Sequence, residues 1–126
     1  MFVSHIAVYV TDLDRVRDFY VRYFQALPSL KYLNPKTSFQ SCFLTFGEGA
    51  RMELMTRENL KSMDRTLRLG YDHFAFALES SEQVDALAER LRQDGIPVLS
   101  GPRTTGDGFY ECCFEDPEGN LVEITA

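Results

Sequence analysis

Histidine and cysteine are scarce, tryptophan is absent and no basic cluster exists: two histidines, three cysteines and 13 lysines and arginines are spread over 126 residues. With a formal net charge of -6 and no long Lys/Arg run, the chain repels nucleic acid and anionic lipid, which points to a small-molecule partner. Every apolar run is broken by charge or glycine before it could span a bilayer, and Met1 to Val10 lacks the basic start and long apolar stretch of a secretory signal. A cytosolic location is expected. Cys42, Cys112 and Cys113 are odd in number, lack metal-type C-x-x-C spacing and include two chain neighbours, so reduced thiols are expected rather than a disulfide framework.

What is present is apolar and aromatic. Ten phenylalanines, six tyrosines and 44% hydrophobic residues suffice for the core of one compact domain, expected over 1–126. Residues 3 to 10 alternate in character and are rich in β-branched and aromatic types, which predicts a strand. Thr11 or Asp12 then caps a helix in which Leu13, Val16, Phe19, Tyr20, Tyr23, Phe24 and Leu27 recur at spacings of three and four. A short apolar stretch near Leu30 to Leu33 follows, then a turn at Asn34-Pro35, a strand Phe39 to Phe46, a glycine turn at 47–49 and a strand Arg51 to Met55. Arg57 to Leu69 reads as a linker helix.

The pattern then repeats. Asp72 to Leu78 predicts a strand, Ser80 and Gln83 a capping box, Val84, Leu87, Ala88 and Leu91 a helix face ending at Gly95, and Ile96 to Leu99 a short strand. Ser100 to Gly108 reads as a mobile loop, Phe109 to Glu115 as a strand, Asp116 to Asn120 as a turn and Leu121 to Thr125 as the last strand. Two βαβββ modules, about 1–56 and 71–126 with a linker near 57–70, predict an α+β fold whose curved mixed sheets share a cleft, because one helix covers only one face of each sheet. His5 aligns with His73 at an offset of 68 residues (73 − 5), and Glu53 with Glu123 at 70 (123 − 53). The difference is assigned to a longer final turn.

Strand alternation sends Ile6, Val8 and Val10 to the helix side and His5, Ala7 and Tyr9 to the other, and divides 73–78 in the same way. Met52 and Leu54 flank Glu53, and Val122 and Ile124 flank Glu123, so both carboxylates face away from the helices. A carboxylate in a half-buried cleft costs several kcal/mol unless paired or coordinated, and no lysine or arginine occupies an equivalent place in both modules. One divalent ion held by His5, Glu53, His73 and Glu123 satisfies both; zinc, nickel, cobalt, manganese and ferrous iron all suit such donors. The glycines of 101–108 lack a phosphate-cradle pattern, and no histidine remains to activate a serine or cysteine nucleophile.

These residues resemble the glyoxalase, bleomycin-resistance and extradiol-dioxygenase superfamily, the vicinal oxygen chelate fold, and within it bacterial glyoxalase I. The likeness rests on His5, Thr11-Asp12-Leu13 with Asp18-Phe19-Tyr20, Arg51-Met52-Glu53-Leu54, Gly70-Tyr71-Asp72-His73-Phe74-Ala75-Phe76, and the long stretch from Phe114 to Ile124. It implies metal ligands at the same four positions, a homodimer, and isomerisation of a hemithioacetal of a 2-oxoaldehyde into a 2-hydroxyacyl thioester. By that analogy Glu123 is the catalytic base and Glu53 the second proton carrier. Tyr9 stands where the family has an arginine contacting glutathione, and Arg57 where it has an asparagine. Tyr9, Arg57 and Arg103 therefore form the expected substrate contacts, with another thiol or an oxyanion as their target. Acyl-coenzyme A epimerisation, ring-cleaving dioxygenation and non-catalytic antibiotic binding are the rivals.

Overall fold

The computed structural model describes residues 1–61 and 69–126, which fall into two compact units, Met1–Thr66 and Leu67–Ala126. The elements of the first are β1 (His5–Tyr9), α1 (Leu13–Phe24), β2 (Leu27–Pro28), β3 (Tyr32–Asn34), β4 (Phe39–Thr45) and β5 (Arg51–Thr56). Those of the second are β6 (His73–Ala77), α2 (Ser81–Gln93), β7 (Val98–Thr104), β8 (Tyr110–Glu115) and β9 (Leu121–Thr125). The fold is α+β. Among the described residues no helix is long and apolar enough to cross a membrane.

In the first unit the strands run β1-β5-β4-β2, with β3 also paired to β4, and β1 parallel to β5. Helix α1 begins where the Asp12 carboxylate accepts the N–H of Arg15 at 3.0 Å and stops where Gln25 turns left-handed, at φ 53. Its face of Leu13, Val16, Phe19, Tyr20 and Tyr23 is buried, and so are Cys42, Leu44, Met52 and Leu54 on one side of the sheet. Leu27 does not join that face: it lies beyond the helix on β2 and is 70% exposed. Strand β2 escapes sequence reading because two residues, one of them proline, carry no period; they pair as Leu27↔Thr45 and Pro28↔Leu44 at the sheet edge.

The second unit is β6-β9-β8-β7, again with the first and last strands parallel. Val84, Ala88 and Leu91 of α2 are buried, as are Cys112, Phe114, Val122 and Ile124. Helix α2 ends at Gly95, φ 77, with the N–H of Ile96 on the Leu91 carbonyl and that of Gly95 on the Arg92 carbonyl. The expected capping box is not made. Ser80 is the N-cap but caps nothing with its hydroxyl, which interacts with the Glu82 carboxylate and lowers its pKa, while the Gln83 side chain accepts from the N–H of Glu79 at 3.1 Å.

Two further expectations are corrected. Strand β7 extends through Ser100, Gly101, Pro102 and Arg103, which the sequence reading made a loop; glycine and proline signal a break, yet an irregular edge strand with register shifts accommodates both. The two-residue offset also arises earlier than the final turn. The turns 46–50 and 116–120 are equal in length, Phe43 already matches Cys113 at 70 (113 − 43), and α2 is one residue longer than α1. The linker-helix expectation falls largely on 62–68, outside the described residues, and 57–61 are not helical.

Buried Asp116 organises the last turn: one carboxylate oxygen accepts the N–H groups of Glu118 and Asn120 at 2.9 Å each, and the other accepts the Asn120 amide at 2.7 Å. Gly101 does the same for the β7 edge. A Cβ there would meet the Glu111 carbonyl oxygen at 2.4 Å and Cys112 Cα at 3.1 Å, whereas a Cβ on Gly95 would meet nothing within 4 Å. Both have positive φ, so Gly95→Ala is expected to cost about 1 kcal/mol from backbone strain, and Gly101→Ala at least twice that from added backbone overlap. Urea denaturation of the two variants checks the order; equal losses contradict it.

Candidate metal centre

Each unit carries the same small construction on the sheet face opposite its helix. On β1, His5 pairs in register with Arg51, and Ala7 with Glu53; on β6, His73 pairs with Leu121, and Ala75 with Glu123. In both units, therefore, a histidine sits diagonally across a parallel strand pair from a glutamate, with an alanine directly beside the carboxylate. The helix-side neighbours Met52 (2%), Leu54, Val122 and Ile124 (each 0%) are buried, which locks the glutamates to the other side.

In the first unit the His5 ring stands edge-on to Phe43, centroids 5.5 Å apart at 82°, and the Arg51 guanidinium lies over the same phenyl ring at 4.7 Å. Ser4 Oγ is 3.3 Å from His5 Nδ1. The half-buried Glu53 carboxylate has no hydrogen bond or ion pair among the described residues. A carboxylate so placed, with a histidine diagonal to it, has the chemistry of half a coordination sphere.

In the second unit the contacts are closer and more polar. His73 Nε2 lies 3.8 Å from Glu123 Oε2, and its Nδ1 is 3.0 Å from Asp72 Oδ2, which keeps Nε2 on the Glu123 side. Glu123 also takes the Cys113 thiol on Oε2 at 3.7 Å, and Glu111 stands beside both, so that Glu111, Cys113 and Glu123 form a compact donor cluster. Burial first, then the Glu111 carboxylate, raises the Glu123 pKa above the usual carboxylate range. Burial, then Glu123, pushes the Cys113 thiol up to about 11. Thr125 pairs in register with Ala77 and Glu111 on this same face, and its Oγ1 is buried without a hydrogen-bond partner among the described residues.

Of the expected substrate contacts, Tyr9 is 46% exposed at the end of β1 and shares the face of His5. Arg57 lines a hollow of about 540 Å³ in the first unit with Thr11, Leu33, Ser38 and Gln40. Arg103 is tied to Glu111, Nη2 to Oε1 at 3.3 Å. Sequence reading missed Glu111 and Cys113. The signal was available, since alternation along 110–115 puts both on the face of Glu123, but cysteine was weighed for metal only through C-x-x-C spacing, and neither residue recurs in the first unit, where Ser41 and Phe43 stand.

Comparison with known proteins follows the same outline. The profile of the Glyoxalase/Bleomycin resistance protein/Dioxygenase superfamily matches residues 3–124. YqjT of Bacillus subtilis strain 168 is 30% identical over 130 residues, covering 98% of each chain. A mutant glyoxalase I from Zea mays is 26% identical with a TM-score of 0.82, covering 98% of this chain and 44% of that one. A mutant FosX from Listeria monocytogenes, crystallised with Mn(II) and 1S,2S-dihydroxypropylphosphonic acid, has a TM-score of 0.74 at 24% identity, a likeness of fold, covering 97% of this chain and 89% of that one.

Proposed function

The chain belongs to the glyoxalase/bleomycin resistance protein/dioxygenase superfamily, and from that membership we propose a divalent-metal-dependent isomerase of the glyoxalase I kind. Its substrate is the hemithioacetal of a small 2-oxoaldehyde and a thiol, its product a 2-hydroxyacyl thioester. The observation that carries the reading is the identical diagonal of histidine and glutamate in the two units. Two donors cover half an ion, so His5 and Glu53 with His73 and Glu123 make the full set, and the Glu53 carboxylate, without an ion pair among the described residues, suits a cation.

When bound, the divalent ion supplies a Lewis acid for two adjacent substrate oxygens. Glu123 takes the carbon-bound proton, and Glu53, the less encumbered carboxylate, returns one to the neighbouring carbon. Asp72 holds the His73 ring so that Nε2 stays beside Glu123. Tyr9, Arg57 and Arg103 meet the rest of the substrate, Arg103 with the guanidinium donors that Glu111 leaves free.

One divalent ion per chain is expected by elemental analysis after purification without chelators. His73→Ala and Glu123→Gln should each weaken its binding by 10-fold or more, since either leaves the ion under-coordinated, an effect at least as large as the 10–100-fold typical of outer-shell partners. Protein that takes up no metal on titration removes the isomerase reading.

The homodimer belongs to the same proposal and has its own test. In a mixed dimer of His5→Ala and His73→Ala chains, sites completed across chains leave one intact set of four ligands and one bound ion. Sites completed within each chain leave none.

The thiol is the third expectation. Tyr9 and Arg57 replace residues that would grip glutathione, and losing two charge-assisted contacts of ~2 kcal/mol each lowers turnover of that adduct by roughly 10²-fold or more while the proton transfer persists. Methylglyoxal premixed with a panel of thiols measures this. A kcat/KM above about 10⁴ M⁻¹s⁻¹ on the glutathione adduct contradicts the recognition argument. Metal-loaded protein that converts no thiol adduct favours epimerase, dioxygenase or binding roles.

A further inference from the structure

The two half-centres share their histidine and glutamate but not what surrounds them. In register, the place of Phe43 beside Glu53 is taken beside Glu123 by Cys113, and the place of Ser41 by Glu111. An aromatic platform on one unit is thus a thiol and a third carboxylate on the other. Cys42 and Cys112 match as well, but both are buried on the helix side, where they pack as small apolar residues. Cys113 alone of the three presents sulfur to the functional face.

Two donor separations about Glu123 suit a coordination polyhedron. For metal–ligand bonds of about 2.0–2.3 Å, the donors of a tetrahedral site stand roughly 3.3–3.8 Å apart. Glu123 Oε2 is 3.8 Å from His73 Nε2 and 3.7 Å from Cys113 Sγ, and the ligand atoms of Glu111, Cys113 and Glu123 lie within 4.8 Å of one another. Two carboxylates packed against a half-buried thiol repel each other and gain little from its weak donor; a cation among the three reverses the sign of the interaction. Thr125 Oγ1 on the same face, shielded from solvent and without a hydrogen-bond partner among the described residues, marks a place where something polar belongs.

We infer that Cys113 is a metal ligand of this chain, binding beside Glu123 with Glu111 adjoining, so that the second unit favours a thiophilic divalent cation such as zinc or cobalt over magnesium or manganese. The inference rests on the metal-dependent reading above and sharpens it. On binding, a sulfur–metal bond forms as the S–H bond breaks, and the thiol proton is released to solvent. No oxidant takes part. A soft donor next to nitrogen and oxygen donors is what shifts preference within the divalent series. Glu111, held by Arg103 at 3.3 Å, keeps the second carboxylate close without leaving its charge wholly uncompensated.

Cobalt(II) tests this on the full, reduced, metal-free chain. One equivalent is expected to produce a near-ultraviolet sulfur-to-cobalt charge-transfer band. Cys113→Ser should abolish the band and weaken cobalt binding at least 10-fold, Glu111→Gln should weaken binding about 10-fold with the band retained, and Cys112→Ser should change neither. A second arm uses His5→Ala with Glu53→Gln, which should retain the band at reduced affinity. Cobalt bound stoichiometrically without the band, or a band indifferent to Cys113→Ser, overturns the inference and leaves the four-residue centre standing. A band that depends on Cys113 while the His5/Glu53 variant binds cobalt as tightly as the parent upholds Cys113 as a ligand and overturns the four-residue centre. No cobalt uptake by the parent overturns both.

Discussion

The parallel pairing of the first and last strands of each unit is the constraint on which the rest depends. Because β1 pairs with β5 as His5↔Arg51, and β6 with β9 as His73↔Leu121, each glutamate comes to lie one diagonal step from a histidine on the same face. A slip of one residue would turn Glu53 into the core that holds Met52 and Leu54, leaving a buried, unpaired charge there. The apolar face therefore sets the register, and the register sets where the histidines and glutamates stand. Helices α1 and α2 act on the site only through that face, by burying Val16 and Tyr20 in one unit and Val84 and Leu91 in the other.

This explains what could be read without a structure. The duplication, both helices, the division of each strand into a buried and a functional face, and the placement of the histidines and glutamates all follow from period-two and helical spacing, which are local properties. Elements whose cause is not local were lost. β2 exists because β4 offers an open edge, and β7 continues through Gly101-Pro102 because β8 lies close enough to require a residue with no Cβ. The Ser80 hydroxyl makes no cap bond although Ser80 is the N-cap, which a capping pattern does not reveal. Glu111 and Cys113 lay within reach of the same alternation that placed Glu123; what hid them is that neither recurs in the first unit, where Ser41 and Phe43 stand.

Electrostatically the two units are not copies. The first surrounds its histidine with Phe43 and lets Arg51 rest on that ring, a nearly neutral setting in which Glu53 carries the negative charge. The second gathers Glu111, Glu123 and Asp72 around His73 and Cys113, with Arg103 as the cation paired at Glu111. Burial and mutual repulsion both oppose ionisation there, which is why the Glu123 carboxyl and the Cys113 thiol hold their protons more tightly than free groups do.

Comparing the units position by position separates packing from chemistry. Cys42, Leu44, Met52 and Leu54 correspond to Cys112, Phe114, Val122 and Ile124, and all eight are buried. Their side chains differ in size and shape but agree in being apolar, which is all that a helix-covered face demands. On the opposite face packing demands much less, and there the units diverge: phenylalanine against cysteine, serine against glutamate, methionine against threonine at Met55 and Thr125. Histidine and glutamate are the polar residues that stay the same on that permissive face, together with the alanines that leave them room. Neither the core nor the strand period requires a histidine at 5 and 73 or a glutamate at 53 and 123, so packing alone does not account for their repetition.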